Sequence, residues 1–299
     1  MLLLLACTPS PGHTGDSAVD AGPVEPLFSF VVFADPHVTA DDEHAERLRT
    51  AVKWVNDNAE AEGIELLFIV GDIGWGDVGV DLANELLGAL SVPWVPVLGD
   101  NEVQYGSEER FDAVFSLQYA ALAEQFEGFD RAATPVDNPD YGLQSWFQDF
   151  SFDHRGLHLV GVDWNSRHIG GLEGEMADLH DFEGGSWEWL ASDLEQHGEG
   201  ANDSIVFFSH HPMHLSPGAF DLEEIDLLDG LLAAYDDALY ANFAGHYHVN
   251  GDEADPARPI EVHVTDAIWD DTLTLRQVDV TGNAAVAEYT HTLVELPFD

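Results

Sequence analysis

The sequence predicts an α/β fold in which mixed sheets are flanked by helices, and three observations carry that prediction. Apolar runs of four to eight residues with β-branched or aromatic content recur along the chain. Stretches with apolar residues at three- and four-residue steps separate them, as expected of amphipathic helices. After about residue 250 the helical stretches stop and short alternating segments follow one another.

In order, the strand expectations are Phe28 to Ala34, Leu66 to Val70, Trp94 to Leu98, Ser204 to Ser209 and Leu239 to Ala244. The helix expectations are Glu43 to Asn56, with Ala45, Leu48, Val52 and Val55 on one face, then Asp81 to Leu90, Glu108 to Gln125, Ser186 to Gln196 and Leu222 to Tyr235. Strands that alternate with helices imply βαβ units and a mainly parallel sheet. A hairpin is expected from Gln144 to Phe152 and Leu157 to Val162, turning at Asp153-His154-Arg155-Gly156, which has the Asp and Gly of a tight turn. Ile260 to Thr265, Thr272 to Val278 and Ala284 to Tyr289 alternate without intervening helices, so an antiparallel sheet should close the fold.

Five short polar segments stand out: Asp35-Pro36-His37, Gly71-Asp72, Gly99-Asp100-Asn101-Glu102, His210-His211-Pro212 and Gly245-His246-Tyr247-His248. Four of them directly follow an apolar run, so their polar groups emerge at strand ends, where parallel-sheet proteins build their sites. Asp35 and His37 are two apart where the chain leaves regular pairing, and His246 and His248 repeat that interval. Borderline divalent ions take carboxylate, amide oxygen and imidazole together. A set of two Asp, one Asn and four His therefore offers seven donors for two ions, with Asp72 suited to bridge them at the roughly 3.5–4 Å spacing of two-metal hydrolytic sites.

The order D-x-H, GD, an Asn-containing Gly turn, H-x-P and G-H-x-H resembles the calcineurin-like metallophosphoesterase superfamily over about Phe28 to His248. The resemblance implies an αββα sandwich, its mixed sheets flanked by helices, with a dinuclear centre of Mn, Fe or Zn. It assigns Asp35, His37, Asp72 and His248 to one ion, and Asp72, Asn101, His210 and His246 to the other. A hydroxide held between the ions would then attack phosphorus of a small phosphomonoester or phosphodiester. The other histidines, His44, His154, His158, His197, His263 and His291, are expected to be ordinary surface or packing residues.

The third motif departs from the family, whose usual Gly-Asn-His has the Asn bind metal and the His protonate the leaving group. Here either an Asp precedes the Asn, leaving Asn101 as the ligand, or Asp100 has replaced the Asn. The expectation adopted is Asn101. The acid role then falls to Glu102, His211 or His214, or to His168 or His180 in the insert Asn165 to Gly185. A histidine is preferred over Glu102, because two nearby cations oppose the raised pKa that a carboxylic acid needs. The missing histidine also raises a second possibility, a catalytically weak pseudoenzyme acting as a metal-organised binding module. The chain has His37 and Trp75 where purple acid phosphatases have Gly and a metal-bound Tyr, so it resembles other branches of the superfamily.

With 57 acidic residues against 9 basic ones, the net charge is −48. Such a surface repels long nucleic acids, whose binding needs clustered Lys and Arg, and it favours small substrates. Self-repulsion on this scale calls for counterion screening, which points to a halophilic or marine setting. At 299 residues, one large domain from residue 27 to 299 is expected. Residues 1–26 read as a signal remnant and acidic linker: Met1-Leu2-Leu3-Leu4-Leu5-Ala6-Cys7 resembles a bacterial lipoprotein cleavage site, although its apolar core is short. Export with a membrane tether through lipidated Cys7 is the expectation, with a cytoplasmic tail as the alternative. Cys7 is the only cysteine, so no intrachain disulfide forms.

Overall fold

A computed structural model describes residues 26–298, apart from 105, 140–141, 168–175, 180–182, 199–202, 214–217, 255–257, 271 and 284–285. Chain order gives β1 (Pro26–Phe33), α1 (Glu43–Glu62), β2 (Ile64–Val70), α2 (Gly76–Leu87), β3 (Trp94–Val97), α3 (Asp100–Gln104), α4 (Glu108–Gln125) and β4 (Glu127–Arg131). There follow β5 (Val136–Asn138), β6 (Leu143–Ser145), β7 (Phe150–His154), β8 (Leu157–Val162), α5 (Ser186–His197) and β9 (Ile205–Ser209). The last elements are α6 (Leu222–Leu232), β10 (Leu239–Ala244), β11 (Gly251–Glu253), β12 (Glu261–Val264), β13 (Leu273–Asn283) and β14 (Val286–Leu296).

The strands form two large mixed sheets, in the orders β14-β13-β1-β2-β3 and β11-β12-β10-β9-β8-β7-β4, and a two-stranded ribbon β5-β6. In the first sheet β1, β2 and β3 run parallel. In the second, β8, β9, β10 and β12 do. Side-chain alternation explains the layering. Val206 and Phe208 of β9 enter the apolar cluster shared by the two sheets, whereas Ile205 and Phe207 join the cluster with Leu190, Leu194, Ile225 and Leu228 of α5 and α6. Both faces of the strand are thus buried, which is why its sequence reads as a continuous apolar run. Between the sheets Phe30 meets Phe208 and Phe243 edge-on at 5.6 and 5.4 Å, and Phe68 stacks on Phe208.

Several boundaries differ from the sequence expectation. α1 continues to Glu62 because no breaker intervenes before Gly63, whose φ of 66° closes the helix. α2 begins at Gly76, five residues earlier than expected, and α6 stops at Leu232. The expected strand Gln144 to Phe152 is split. Backbone N–H groups of Gln148 and Asp163 donate to the carboxylates of Asp163 and Asp149, which replace the ladder between β6 and β7. The hairpin itself turns as expected, with His154 opposite Leu157 and both Arg155 and Gly156 at positive φ. The closing strands β13 and β14 form a longer hairpin than expected, with β13 antiparallel to β1, whereas Ile260 to Thr265, expected to pair with them, forms β12 and runs parallel to β10 in the second sheet.

Candidate metal centre

The five polar segments converge at the carboxyl ends of β1, β2, β3, β9 and β10. Seven non-glycine residues have positive φ among the described residues, and five are Asp35, His37, Asp72, His246 and His248. Left-handed backbone costs a non-glycine residue roughly 1–3 kcal/mol. Its concentration here means that the turns are held in place by what surrounds them. Backbone bonds do part of this, since His37 N–H donates to the Asp72 carbonyl at 2.9 Å and Gly245 N–H to the His210 carbonyl at 3.1 Å. Glycine is required beside the ligands: a Cβ on Gly71 would collide with the His210 ring, and one on Gly245 would collide with the Asp35 carboxylate.

Two Asp/His groups result. Donor atoms of Asp35, His37 and His248 lie within 4.8 Å of one another, as do those of Asp100, His210 and His246. Asp72 sits between them, Oδ2 at 3.3 Å from His37 Nε2 and Oδ1 at 3.4 Å from His210 Nε2. Asp100 Oδ1 is 2.7 Å from His210 Nε2 and 3.4 Å from His246 Nδ1. His246 turns Nδ1 inward because Nε2 is 3.1 Å from the Gly218 carbonyl. Asp35, Asp72, Asp100, His37 and His210 are buried, while His246 and His248 are partly open to solvent and mark the mouth.

The electrostatics are those of a site built for cations. Burial raises the Asp72 carboxyl well above its usual range, and the charges of Asp100, Glu102 and Asp35 add to this against the pull of His210. Burial opposes charge on His210 too, yet Asp72, Asp100 and Asp35 hold that imidazole well above normal. His37 is pushed down to about 4 by burial. Its two ring nitrogens are buried without a hydrogen-bond partner, an arrangement a metal ion would satisfy. Carboxylates and imidazoles around an orphaned ring fit the borderline ions Mn, Fe and Zn.

The structure brings together Asp35, His37, Asp72, His210, His246 and His248 as the sequence suggested. At the seventh position both neighbours reach the cluster: Asp100 joins the second Asp/His group, and Asn101 lies against Asp72, its N–H donating to Oδ1 at 2.9 Å and its side-chain amide touching Oδ2. α3 starts at Asp100, so its first residue points to the imidazoles and its second to Asp72.

Glu102 is fully buried and cross-links two motifs, accepting from Gly74 N–H and Gly99 N–H at 2.9 Å each. Burial drives its carboxyl up to about 7 despite those two donors. His211 is buried, its ring 4.5 Å from that of His246. His214, His168 and His180 lie outside the described residues. Arg167 is buried in an ion pair with Asp163 at 2.7 Å and with Glu108 at 3.0 Å. Sequence reasoning passed over an aromatic wall, in which Trp75 and Trp269 approach the His37 ring edge-on at 5.3 and 5.7 Å and His44 stacks on Trp269. The available signal was Trp269 following another strand end, after Val264.

The sequence profile described as calcineurin-like phosphoesterase matches residues 28–250. The chain belongs to that family. The match spans every ligand segment above, and solved structures share the calcineurin-like fold. The Thermus thermophilus protein TT1561 superposes with a TM-score of 0.50 at 13% identity, over 86% of this chain and 99% of that one. A putative 5'-nucleotidase from Staphylococcus aureus gives 0.54 at 14%, over 91% of this chain and 55% of that one. The Thermus thermophilus sulfate thiohydrolase SoxB gives 0.53 at 14%, over 91% and 57%. The chain thus spans little more than half the length of the latter two. Comparison with curated proteins by sequence finds no match. Within the calcineurin-like phosphoesterase family the activity is metal-dependent hydrolysis, and this chain carries the donor groups that such chemistry needs.

Proposed function

We propose that this protein hydrolyses small phosphoesters with two metal ions, held by Asp35, His37 and His248 on one side, by Asp100, His210 and His246 on the other, and by Asp72 between them. The observation that carries this reading is the position of Asp72, each carboxylate oxygen directed to a different Asp/His group. Bound there, two ions supply Lewis acidity, activating water and neutralising charge on a phosphoryl group. The residues do the rest. Glu102 fixes the Gly74 and Gly99 turns, so it is a positioning residue. His211, beside His246, is the candidate proton donor to the leaving group. Trp75 and Trp269 pack edge-on against the His37 ring.

The acidic surface favours a small phosphomonoester or phosphodiester over nucleic acid. The amino-terminal segment ending in Cys7 supports export and a lipid tether, which palmitate labelling of wild-type protein and a Cys7→Ser variant would test. Asn101, standing where the family's acid histidine is expected, favours the second possibility, a weakly catalytic metal-organised module. Assay of Mn-, Fe- and Zn-loaded protein against aryl phosphate monoesters, bis-aryl diesters and cyclic nucleotides separates the two. Hydrolysis that disappears in Asp72→Asn supports the enzyme, and tight binding of two ions without turnover of any ester supports the module.

A further inference from the structure

A second cluster of metal-ligating side chains lies at the far end of the second sheet. His158 pairs with Ile205 in the parallel register of β8 and β9, whereas His210 follows Ser209 at the other end of β9. At about 3.3 Å per residue the two histidines are roughly 16 Å apart along the strand. His158 is buried at the start of β8, Asp153 is near the end of β7, and His197 is the last residue of α5. One donor atom from each lies within 4.8 Å of the others. A cavity of about 520 Å³ opens beside them.

The surroundings of His158 are those of an oriented ligand. Its Nε2 is 3.0 Å from Asp193 Oδ2, and Asp193 Oδ1 accepts from Ser151 Oγ at 2.7 Å. A carboxylate on one ring nitrogen, itself fixed by a further hydrogen bond, is the arrangement that aims the other nitrogen at a metal. That other nitrogen, Nδ1, is 2.8 Å from Asp153 Oδ1. Two ligands about 2.1 Å from a tetrahedral ion stand roughly 3.4 Å apart, so Asp153 would retreat slightly, and its half-exposed side chain leaves room. The His197 ring stacks on His158 at 4.0 Å. At a helix end, the His197 ring already offers a nitrogen within 4.8 Å of the His158 and Asp153 donor atoms.

Charges on the packed elements favour a cation there. Asp153 and Asp193 flank the ring, and Arg155, which lines the same cavity, is taken up by Glu65 at 2.5 and 2.9 Å, as is His154 at 2.9 Å. Burial works against a charged His158, while Asp193 and Asp153 raise its pKa above normal. Only a neutral ring binds metal, so uptake would weaken as pH falls.

We propose that Asp153, His158 and His197 form a separate structural site for one borderline divalent ion such as Zn²⁺, with water as the remaining ligand. Two imidazoles and one carboxylate favour Zn²⁺ over Ca²⁺ or Mg²⁺. The ion ties the β7–β8 hairpin to the end of α5, a cross-link that one cysteine cannot supply.

The test loads full-length, chelator-treated protein with Zn²⁺, removes free ion and counts bound zinc in wild type, His197→Ala and Asp153→Asn, both altered at partly exposed positions. The site predicts one equivalent fewer in each variant, unchanged phosphoester hydrolysis with Mn²⁺, and a zinc-induced displacement of the His158 Nδ1 resonance in ¹⁵N-histidine spectra of wild type alone. Equal zinc content in all three proteins, or a His158 resonance that zinc leaves in place, would overturn the proposal. Wild-type protein that binds this equivalent, which both variants lose, yet hydrolyses no phosphoester would count against the proposed function and leave this site standing.

Discussion

Asp100 Oδ1 lies 2.7 Å from Nε2 of His210, closer to that ring than the oxygens of Asp72 at 3.4 Å and Asp35 at 3.7 Å, while its neighbour Asn101 turns to Asp72. An acidic group at this place would give an ion held there one more negative charge than an amide would. It also makes the two adjacent residues separable by experiment. Asp100→Asn should weaken binding of one of two ions by roughly ten-fold or more, whereas Asn101→Ala should retain both. Metal content after dialysis checks this, and equal loss in both variants would show that Asn101 shares the ligand role.

Glu102 tests positioning against proton donation. Glu102→Gln keeps the shape but sets an NH₂ group against one of the two backbone donors that the carboxylate accepts. We expect a stability loss of about 1–3 kcal/mol and lower kcat, with the dependence of rate on leaving-group pKa unchanged. A steeper dependence would make Glu102 the acid.

Phe208 lies between the sheets against Phe30, Phe68 and Phe243. It is also two residues before His210. Phe208→Ala should cost about 3–5 kcal/mol, measured by urea unfolding, and should reduce metal affinity because the end of β9 loses its support. A loss under about 1 kcal/mol would mean that the two sheets do not share this core.

The pH dependence of stability should carry the mark of His291. Burial, then His263 and Arg276, lower its pKa from 6.5 to about 4. Between those values the unfolded chain binds more protons than the native one, so stability must rise as pH increases from 4 to 6.5 and level off above. His291→Gln should make the melting temperature less sensitive to pH within that window. A slope identical to wild type would exclude His291.

Salt should stabilise the fold. With a net charge of −48 and a Debye length that shrinks to about 3 Å at 1 M, repulsion between surface carboxylates is screened. The melting temperature should climb from low salt to molar NaCl, and a flat profile would remove the halophilic reading.

Much of the site was legible in the sequence because each ligand segment is short and follows an apolar strand, so its chemistry is written locally. Six of the seven named donors form the two Asp/His groups with Asp72 between them, and the seventh, Asn101, lies against Asp72. The choice between Asp100 and Asn101 was not legible, since adjacent residues at the start of α3 point in different directions and only the placement of His210 and Asp72 says which meets which. The Glu102 contacts to Gly74 and Gly99 were hidden for the same reason.

The sequence by itself determined the strand and helix alternation, the donor types and the surface charge, all of which depend on residue identity and near-neighbour spacing. Tertiary structure alone decided which strands fall in each of the two facing sheets, that β6 and β7 separate at Asp149 and Asp163, and that His158 and His197 stack beside Asp153. These depend on pairings between residues distant in the chain, where burial and hydrogen bonding choose among partners that local sequence treats alike.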